Sequence, residues 1–282
     1  MDKRIIVNAD DFGLCEGINK AVVQAHTDGV LTSATIMANM PAAAEAVKIA
    51  KGMPTLGAGV HLNLTEGRPL SQDAGLRPLL DADGEFACSN VKLAFFSLTG
   101  PKCRDAVRAE LTAQIQWVID NGLKPTHLDS HKHFHTFPHL FSIICQLARR
   151  FEIPAIRFAW EPPEVSAMPW PLPGEGGRKR ARRVRTMAMM NRLQNPDFLK
   201  TDALLGIAHT GKIDVNFFRA VVLYNSAATA ELLTHPGYID GLDPAKTSLL
   251  NQRKAELDAL CSEKTSQYFK DAGIKLLHYG NL

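Results

Sequence analysis

Cysteine is scarce in this chain and never spaced for chemistry. The five residues Cys15, Cys88, Cys103, Cys145 and Cys261 are scattered, with no CxxC pair, which argues against a disulfide framework and against a thiolate zinc site. They read as buried thiols in a reducing compartment. Long apolar runs are missing too: nothing approaches the ~20 residues of a membrane span. The opening MDKRIIVNADD holds too short an apolar stretch for a signal peptide. These absences set the expectation of a cytoplasmic protein. Nor is there a dominant charge. The net value is +3, and six positive charges are concentrated in RKRARRVR (178–185), so the remainder is slightly acidic. A nucleic-acid partner is not expected from so local a basic stretch.

Nucleotide motifs fail in the same way. DFG at 11–13 has no glycine-rich loop before it and no HRD loop anywhere, which removes a kinase reading. GIAHTGKI (206–213) spells a phosphate-binding loop up to its last position, where Ile213 stands in place of the magnesium-binding hydroxyl.

What is present fits one globular α/β domain. With 45% hydrophobic and 22% charged residues over 282 positions, a large core is expected, and about 250 residues is the usual extent of a single barrel. RIIVNA (4–9), VLTSATIMAN (30–39) and LGAGVHLNL (56–64) read as strands separated by helices at 16–28 and 41–51. The rhythm resumes after a polar loop (65–90), with a helix at 103–121 and the histidine segment THLDSHKHFHTFPH (126–139). A helix at 138–151, strands at 155–160 and 203–208, a helix at 214–225, a strand at 229–235, a helical run at 244–271 and a strand at 274–279 follow. Eight strands alternating with helices predict a parallel sheet closed into a barrel, with a doubly wound open sheet as the alternative. The segment 161–200 breaks the pattern with EPPEVSAMPWPLPGEGG and the basic run, and is expected to form an inserted lid-like excursion.

Ligands of such folds bind at the carboxyl ends of the strands. Polar residues fall there on nearly every strand: Asp10 and Asp11, Asn39, His61 and Asn63, Asp129 to His135, Arg157, His209 and His235. Imidazoles and carboxylates drawn from separate strands suit a divalent-metal hydrolase. Five of the ten histidines lie in THLDSHKHFHTFPH. If the strand persists, His127, Asp129, His131, His133 and His135 share one face. Residues two apart sit roughly 6.6 Å from each other, so one ion takes one or two of these groups, and spacing does not choose which. Asp10 and Asp11 point to opposite faces unless the strand ends or bulges there. One could then hold a metal and the other accept a proton.

Together VNADDFGL (7–14), VHLNLTEGRPL (60–70), THLDSHKHFH (126–135) and THPG (234–237) resemble the YdjC-like carbohydrate deacetylases, a family built on a distorted (β/α) barrel related to polysaccharide deacetylases. The resemblance implies one divalent metal ion, zinc or magnesium, held by Asp11, His61 and His131. It implies Asp10 as the catalytic base and His235 as the general acid; from their places at the strand ends, His127, Asp129, His133, Asn63 and Arg157 are expected to support the ligands or bind the substrate. The implied reaction removes the acetyl group of an N-acetylated sugar or glycolipid. LKTDALLGIAHTGKID (199–214) looks most like a hopanoid-biosynthesis branch, acting on a glucosaminyl-hopanoid precursor. In that reading 168–185 makes a peripheral contact with the inner membrane, and a homodimer is a further expectation. The rival readings are a phosphoester or other acyl hydrolase, and a non-catalytic metal- or sugar-binding protein.

Overall fold

The computed structural model describes residues 3–166, 175–192 and 197–282. It begins with β1 (Arg4–Phe12), α1 (Glu16–Thr27), β2 (Ser33–Ile36), α2 (Ala43–Gly52) and β3 (Gly57–Leu62). Then come α3 (Asn90–Leu98), α4 (Pro101–Asp120), β4 (His127–Ser130), α5 (Pro138–Arg150), β5 (Ala155–Ile156), α6 (Pro163–Ser166) and α7 (Glu175–Arg192). The chain closes with β6 (Ala203–Leu205), α8 (Val215–Tyr224), β7 (Thr229–Thr234), α9 (Asn251–Leu260), α10 (Glu263–Asp271) and β8 (Lys275–Leu276).

All strand pairs are parallel, in the order β5-β4-β3-β2-β1-β7-β6. The expected parallel α/β sheet is therefore present, but β8 is not an eighth stave. It pairs only with Arg4 and Ile5, where it fills the stretch of β1's edge that β2 leaves open. Lys275 N and Leu277 N donate to Lys3 O and Ile5 O, and Thr32 N continues the ladder at Val7 O. The ladder stops between β5 and β6. Among the described residues that seam is crossed by the Ala155–Leu199 bridge and by single backbone bonds, such as Leu204 N to Trp160 O at 2.8 Å.

Strand alternation sorts the two faces of the sheet. Ile5, Val7 and Ala9 of β1 join Ala34 and Ile36, Val60 and Leu62, Leu128, Ala230 and Leu232 in the main core with the helices. The other face carries Ile6, Asn8 and Asp10, then Thr35, His61, Asp129 and Glu231, all buried. At its amino end that face is sealed by Ile6, Ala155, Leu277 and Tyr279. Apolar side chains thus plug one end, and polar ones gather toward the carboxyl ends of the strands.

Helix ends follow local chemistry. Pro101 and Pro138 occupy the first turns of α4 and α5, where a missing N–H removes no helical bond. Asp214 caps α8 by accepting from Asn216 N and Phe217 N. The polar loop at 65–90 is followed at once by an unforeseen helix, α3, capped by Ser89. The long helical run at 244–271 is two helices, α9 and α10, divided at Cys261 and Ser262.

Of the excursion, MPWPLP (168–173) lies outside the described residues. The basic run is helical: Ala181, Val184 and Ala188 of α7 are buried against Ala159, Leu204, Ile207, Ala208 and Leu233, while Arg178, Lys179, Arg180, Arg182 and Arg183 face solvent. Gly177 permits this seat, since a Cβ there would lie 2.0 Å from Ala208 O. The loop that resembled a phosphate cradle is already filled. Glu161 accepts from Gly206 N and Ile207 N, both at 2.8 Å, and from Ala208 N at 3.1 Å.

Candidate metal-binding active site

β1 does bulge where two adjacent acids must serve one site. Its register against β2 shifts between Ala9 and Phe12, and Asp11 has a φ of 66°, in the left-handed region that Asp tolerates better than most residues. Both carboxylates consequently reach the same side. Asp11 Oδ1 lies 3.5 Å from His61 Nε2 and 3.0 Å from His131 Nδ1.

The histidine segment is not one polar wall. β4 ends at Ser130, and Lys132 and His133 adopt left-handed φ angles of 53° and 57°. That pair of residues breaks the alternation, so the shared face extends from His127 to Asp129 only. Ser130 Oγ closes the turn by accepting from His135 N at 2.9 Å. His131, the first residue past the strand, is carried over to Asp11. His133 and His135 are buried with their rings edge to face, and burial, reinforced by positive neighbours, keeps both neutral; His133 is lowered to about 3. His127 stacks on Tyr279 with ring centroids 3.9 Å apart, and its Nδ1 lies 2.9 Å from Thr126 Oγ1. His139 is tied to Ser97 Oγ at 2.5 Å.

Asp11, His61 and His131 offer ligand atoms that all lie within 4.8 Å of one another. Asp10, His61 and Asp129 form a second such group, but in that one both carboxylates are gripped by Arg157 at 2.6 and 2.7 Å. The first group fits a cation better. Asp11 Oδ1 is buried beside two imidazole nitrogens, His131 Nδ1 at 3.0 Å and His61 Nε2 at 3.5 Å, while Arg253 holds only the other oxygen, so the donor atoms that a cation needs stand together on an oxygen no arginine has taken. Each imidazole is also held from behind: Asp129 Oδ1 stands 2.7 Å from His61 Nδ1, and Glu66 Oε1 stands 3.2 Å from His131 Nε2. A carboxylate behind the far ring nitrogen is the usual way to orient a metal-binding histidine. Burial disfavours protonating these rings, yet the carboxylates outweigh it: His61 is raised, chiefly by Asp129, and His131 is raised to about 9 by Asp11 and Glu66. Glu66 in turn falls to about 2 despite burial, through His131 and Lys132. Two nitrogens and an oxygen suit zinc somewhat better than magnesium.

Arg157 is fully buried and makes four hydrogen bonds, to Asp10 Oδ2 and Oδ1 at 2.9 and 2.6 Å and twice to Glu231 Oε1 at 3.0 and 2.6 Å. Its NH1 also forms an ion pair with Asp129 Oδ2 at 2.7 Å. Burial pushes Asp10 upward, but Arg157 and then His61 hold it well below the ordinary carboxylate range. Asn63 is buried away from the ligand atoms. It braces the loop that carries Glu66, donating to Asn39 Oδ1 and Glu66 O at 3.0 and 2.8 Å.

His235 follows β7. Its side chain is 12% exposed, as His131 and Glu66 are at 13% each, whereas Asp10, Asp11 and His61 reach no more than 4%. The site therefore opens on the side of His131, Glu66 and His235, above the two acids. α9 holds this side from behind: Arg253 NH2 donates to Asp11 Oδ2 at 2.6 Å, and Glu256 Oε2 accepts from His235 N at 2.6 Å. Burial, with Arg253 nearby, lowers His235 to about 4, and burial raises Glu256 to about 7. Arg253, Glu256, Glu66, Glu231 and Tyr279 escaped the reading of strand ends. Glu231 left a signal, being the one acid inside the strand TAELLT.

A family model described as YdjC-like protein matches residues 4–271. The chain is similar to carbohydrate deacetylases of Brevibacillus brevis (33% identical over 279 residues, 99% of each chain) and Geobacillus stearothermophilus (34% over 279 residues, 99% of this chain and 98% of that one). Its fold is similar to the crystal structure of an Enterococcus faecalis V583 protein proposed for cellobiose-phosphate cleavage. The TM-score is 0.79 at 24% identity, with 100% of this chain and 99% of that one covered. With a family match that runs from β1 to α10 and relatives of this identity along nearly the whole length, the chain belongs to the YdjC-like protein family.

Proposed function

We propose that the protein is a metal-dependent carbohydrate deacetylase that hydrolyses the acetamide of an N-acetylated amino sugar to acetate and a free amine. The observation that carries this reading is the convergence of Asp11, His61 and His131 within 4.8 Å beside a second, Arg157-held acid. Relatives named carbohydrate deacetylase, aligned over 99% of the chain, support it.

Asp11 Oδ1, His61 Nε2 and His131 Nδ1 would hold one divalent ion. Such an ion supplies Lewis acidity toward the acyl oxygen and makes water a stronger acid. Asp10 takes the proton of the attacking water. Its carboxylate has about four acceptor positions, and three are used: Oδ1 by Asn8 Nδ2 and Arg157 NH2, Oδ2 by Arg157 NH1. The remaining one is on Oδ2, which lies 3.9 Å from His61 Nε2 and so beside the ligand group. Arg157 makes Asp10 a weaker base but keeps it ionised and aimed. His235, on the open side, gives a proton to the departing nitrogen. A value near 4 leaves its imidazole neutral at pH 7, so it acts after taking up a proton, and then releases it readily. Asp129 and Glu66 keep the two imidazoles turned toward Asp11.

The substrate we infer is a sugar on an amphiphilic carrier, of the glucosaminyl-hopanoid kind that the motif at 199–214 suggests. The exposed cations of α7 are suited to an anionic lipid surface. None of the described helices is long and apolar enough to cross a membrane. A cytoplasmic enzyme touching the inner membrane peripherally, and forming a homodimer, completes the proposal. The deciding experiment is metal analysis of the purified protein joined to an acetate-release screen over N-acetylglucosamine oligomers and glycolipids. Release of acetate that stops on chelation and returns with zinc is the expected result. Release of phosphate from phosphoesters in place of acetate, or metal binding without turnover, would replace the reading. Binding to vesicles containing anionic lipid at moderate salt, lost on substitution of the α7 arginines, tests the membrane contact.

A further inference from the structure

We infer that Glu231 and Tyr279 are positioning residues for Asp10, acting through Arg157 from the opposite end of the sheet's inner face. The inference rests on the deacetylase reading for what Asp10 does, but its structural content is independent of it. The plane of Arg157 is held by three carboxylates together. Asp10 takes two of its four hydrogen bonds and Glu231 Oε1 takes the other two, while Asp129 pairs with it at 2.7 Å. Glu231 is the member that serves only to orient: it bonds nothing near the ligand group. Its second oxygen accepts from the Tyr279 hydroxyl at 2.5 Å. Tyr279 is fully buried in the turn after β8, packed with Ile6, Ala155 and Leu277 and stacked on His127. The sequence Tyr279, Glu231, Arg157, Asp10 is therefore an unbroken chain of short hydrogen bonds between buried groups. Rotation of Glu231 would free two of Arg157's donors and let the guanidinium turn, and Asp10 would turn with it. His127, the first histidine of the histidine-rich segment, acquires a purpose here, since its ring holds the Tyr279 ring flat.

Tyr279→Phe and Glu231→Gln, with the half-exposed Tyr224→Phe as a control, test the inference. Expected for Tyr279→Phe is a kcat for acetate release lower by roughly 10- to 100-fold, the range that a displaced catalytic group produces. KM should stay within about twofold and the bound-metal content unchanged. Glu231→Gln keeps one carbonyl acceptor for Arg157 and should lose less. A Tyr279→Phe kcat equal to that of the native chain overturns the inference, as does a fall of the same size in Tyr224→Phe. If the native chain releases no acetate from any N-acetylated sugar, the functional reading falls instead. The inference is then judged on crystal structures: Arg157 and Asp10 turned in Tyr279→Phe uphold it, and Arg157 and Asp10 superposing on the native chain overturn it. Should Tyr279→Phe not fold, the same comparison on Glu231→Gln decides.

Discussion

Replacing Arg157 with methionine keeps most of the aliphatic stem and removes every donor. In the native chain the guanidinium is fully buried and answers Asp10, Asp129 and Glu231 at 2.6–3.0 Å. Removing one partner of a buried ion pair typically destabilises by about 3–5 kcal/mol, because the abandoned charge keeps its desolvation penalty. Three abandoned carboxylates would exceed that, but they can take up protons, which holds the loss near that range. At roughly 2–4 °C per kcal/mol for chains of this size, the melting temperature should fall by about 6–20 °C. The pH dependence has a definite sign. In the native chain burial pushes Asp10 up and Arg157 overcomes it, so its folded value is depressed and its contribution is present above the unfolded value. Without Arg157, burial, already the largest influence on Asp10 and Glu231, raises both. Groups with raised folded values contribute stability below their unfolded values and lose it as pH rises through the folded ones. The deficit of the variant should therefore be small near pH 4.5 and grow toward pH 8. Thermal or urea unfolding of metal-free protein at three pH values measures it, with chelator present so that metal binding does not enter the stability. A variant within about 1 kcal/mol of the native chain at pH 7, or a deficit that does not change between pH 5 and pH 8, would refute the charge-cluster argument.

Other consequences concern the site itself. Asp11→Asn, His61→Ala and His131→Ala should each lose bound metal, measured by elemental analysis, and acetate release with it; retention of both in Asp11→Asn or His131→Ala would unseat the ligand assignment. Asp10→Asn and His235→Gln should retain metal while kcat drops by about 10²- to 10⁴-fold, the usual contribution of a general acid or base. A protein that only binds metal or sugar would show no change in that binding and have no turnover to lose. Gly237→Ala would place a Cβ 2.5 Å from Ile18 Cδ1 and 3.0 Å from Arg253 Cδ. A loss of about 1–3 kcal/mol in unfolding experiments follows from such overpacking, together with a displaced Arg253.

Much of the fold was legible because parallel strands buried on both faces write themselves as short apolar runs, as in RIIVNA and LGAGVHLNL. The topology was less so. IKLLHY has the composition of a stave, but only Lys275 and Leu276 pair, because β7 and β2 already occupy β1. α3 was hidden in NVKLAFFSL, where apolar residues run almost without interruption and leave no clear helical period. The metal group was legible from the strand-end rule joined to the family motifs. Alternation failed past Ser130, since two successive left-handed residues, Lys132 and His133, end the strand within the histidine run. What lay beyond reach was the supporting set. Arg253 and Glu256 sit on a helix that reads as an ordinary charged surface, and only the folded chain turns their shared face toward Asp11 and His235.

The position of β1 bears on how the molecule is made. Its Arg4 side chain donates to Thr229, 225 residues further on, and Asp11 meets Arg253 across 242 residues. Translation supplies the acids first and their guanidinium partners later, Arg157 after 147 residues and Arg253 after 242. Until β7 and α9 are made, the nascent chain therefore carries a central strand with one edge bare and Asp11 without its arginine. Such a chain cannot settle segment by segment as it emerges, and contacts of this separation form slowly. The sheet should therefore close only once β7 and α9 have emerged, which makes the first strand the element that waits longest for its partners.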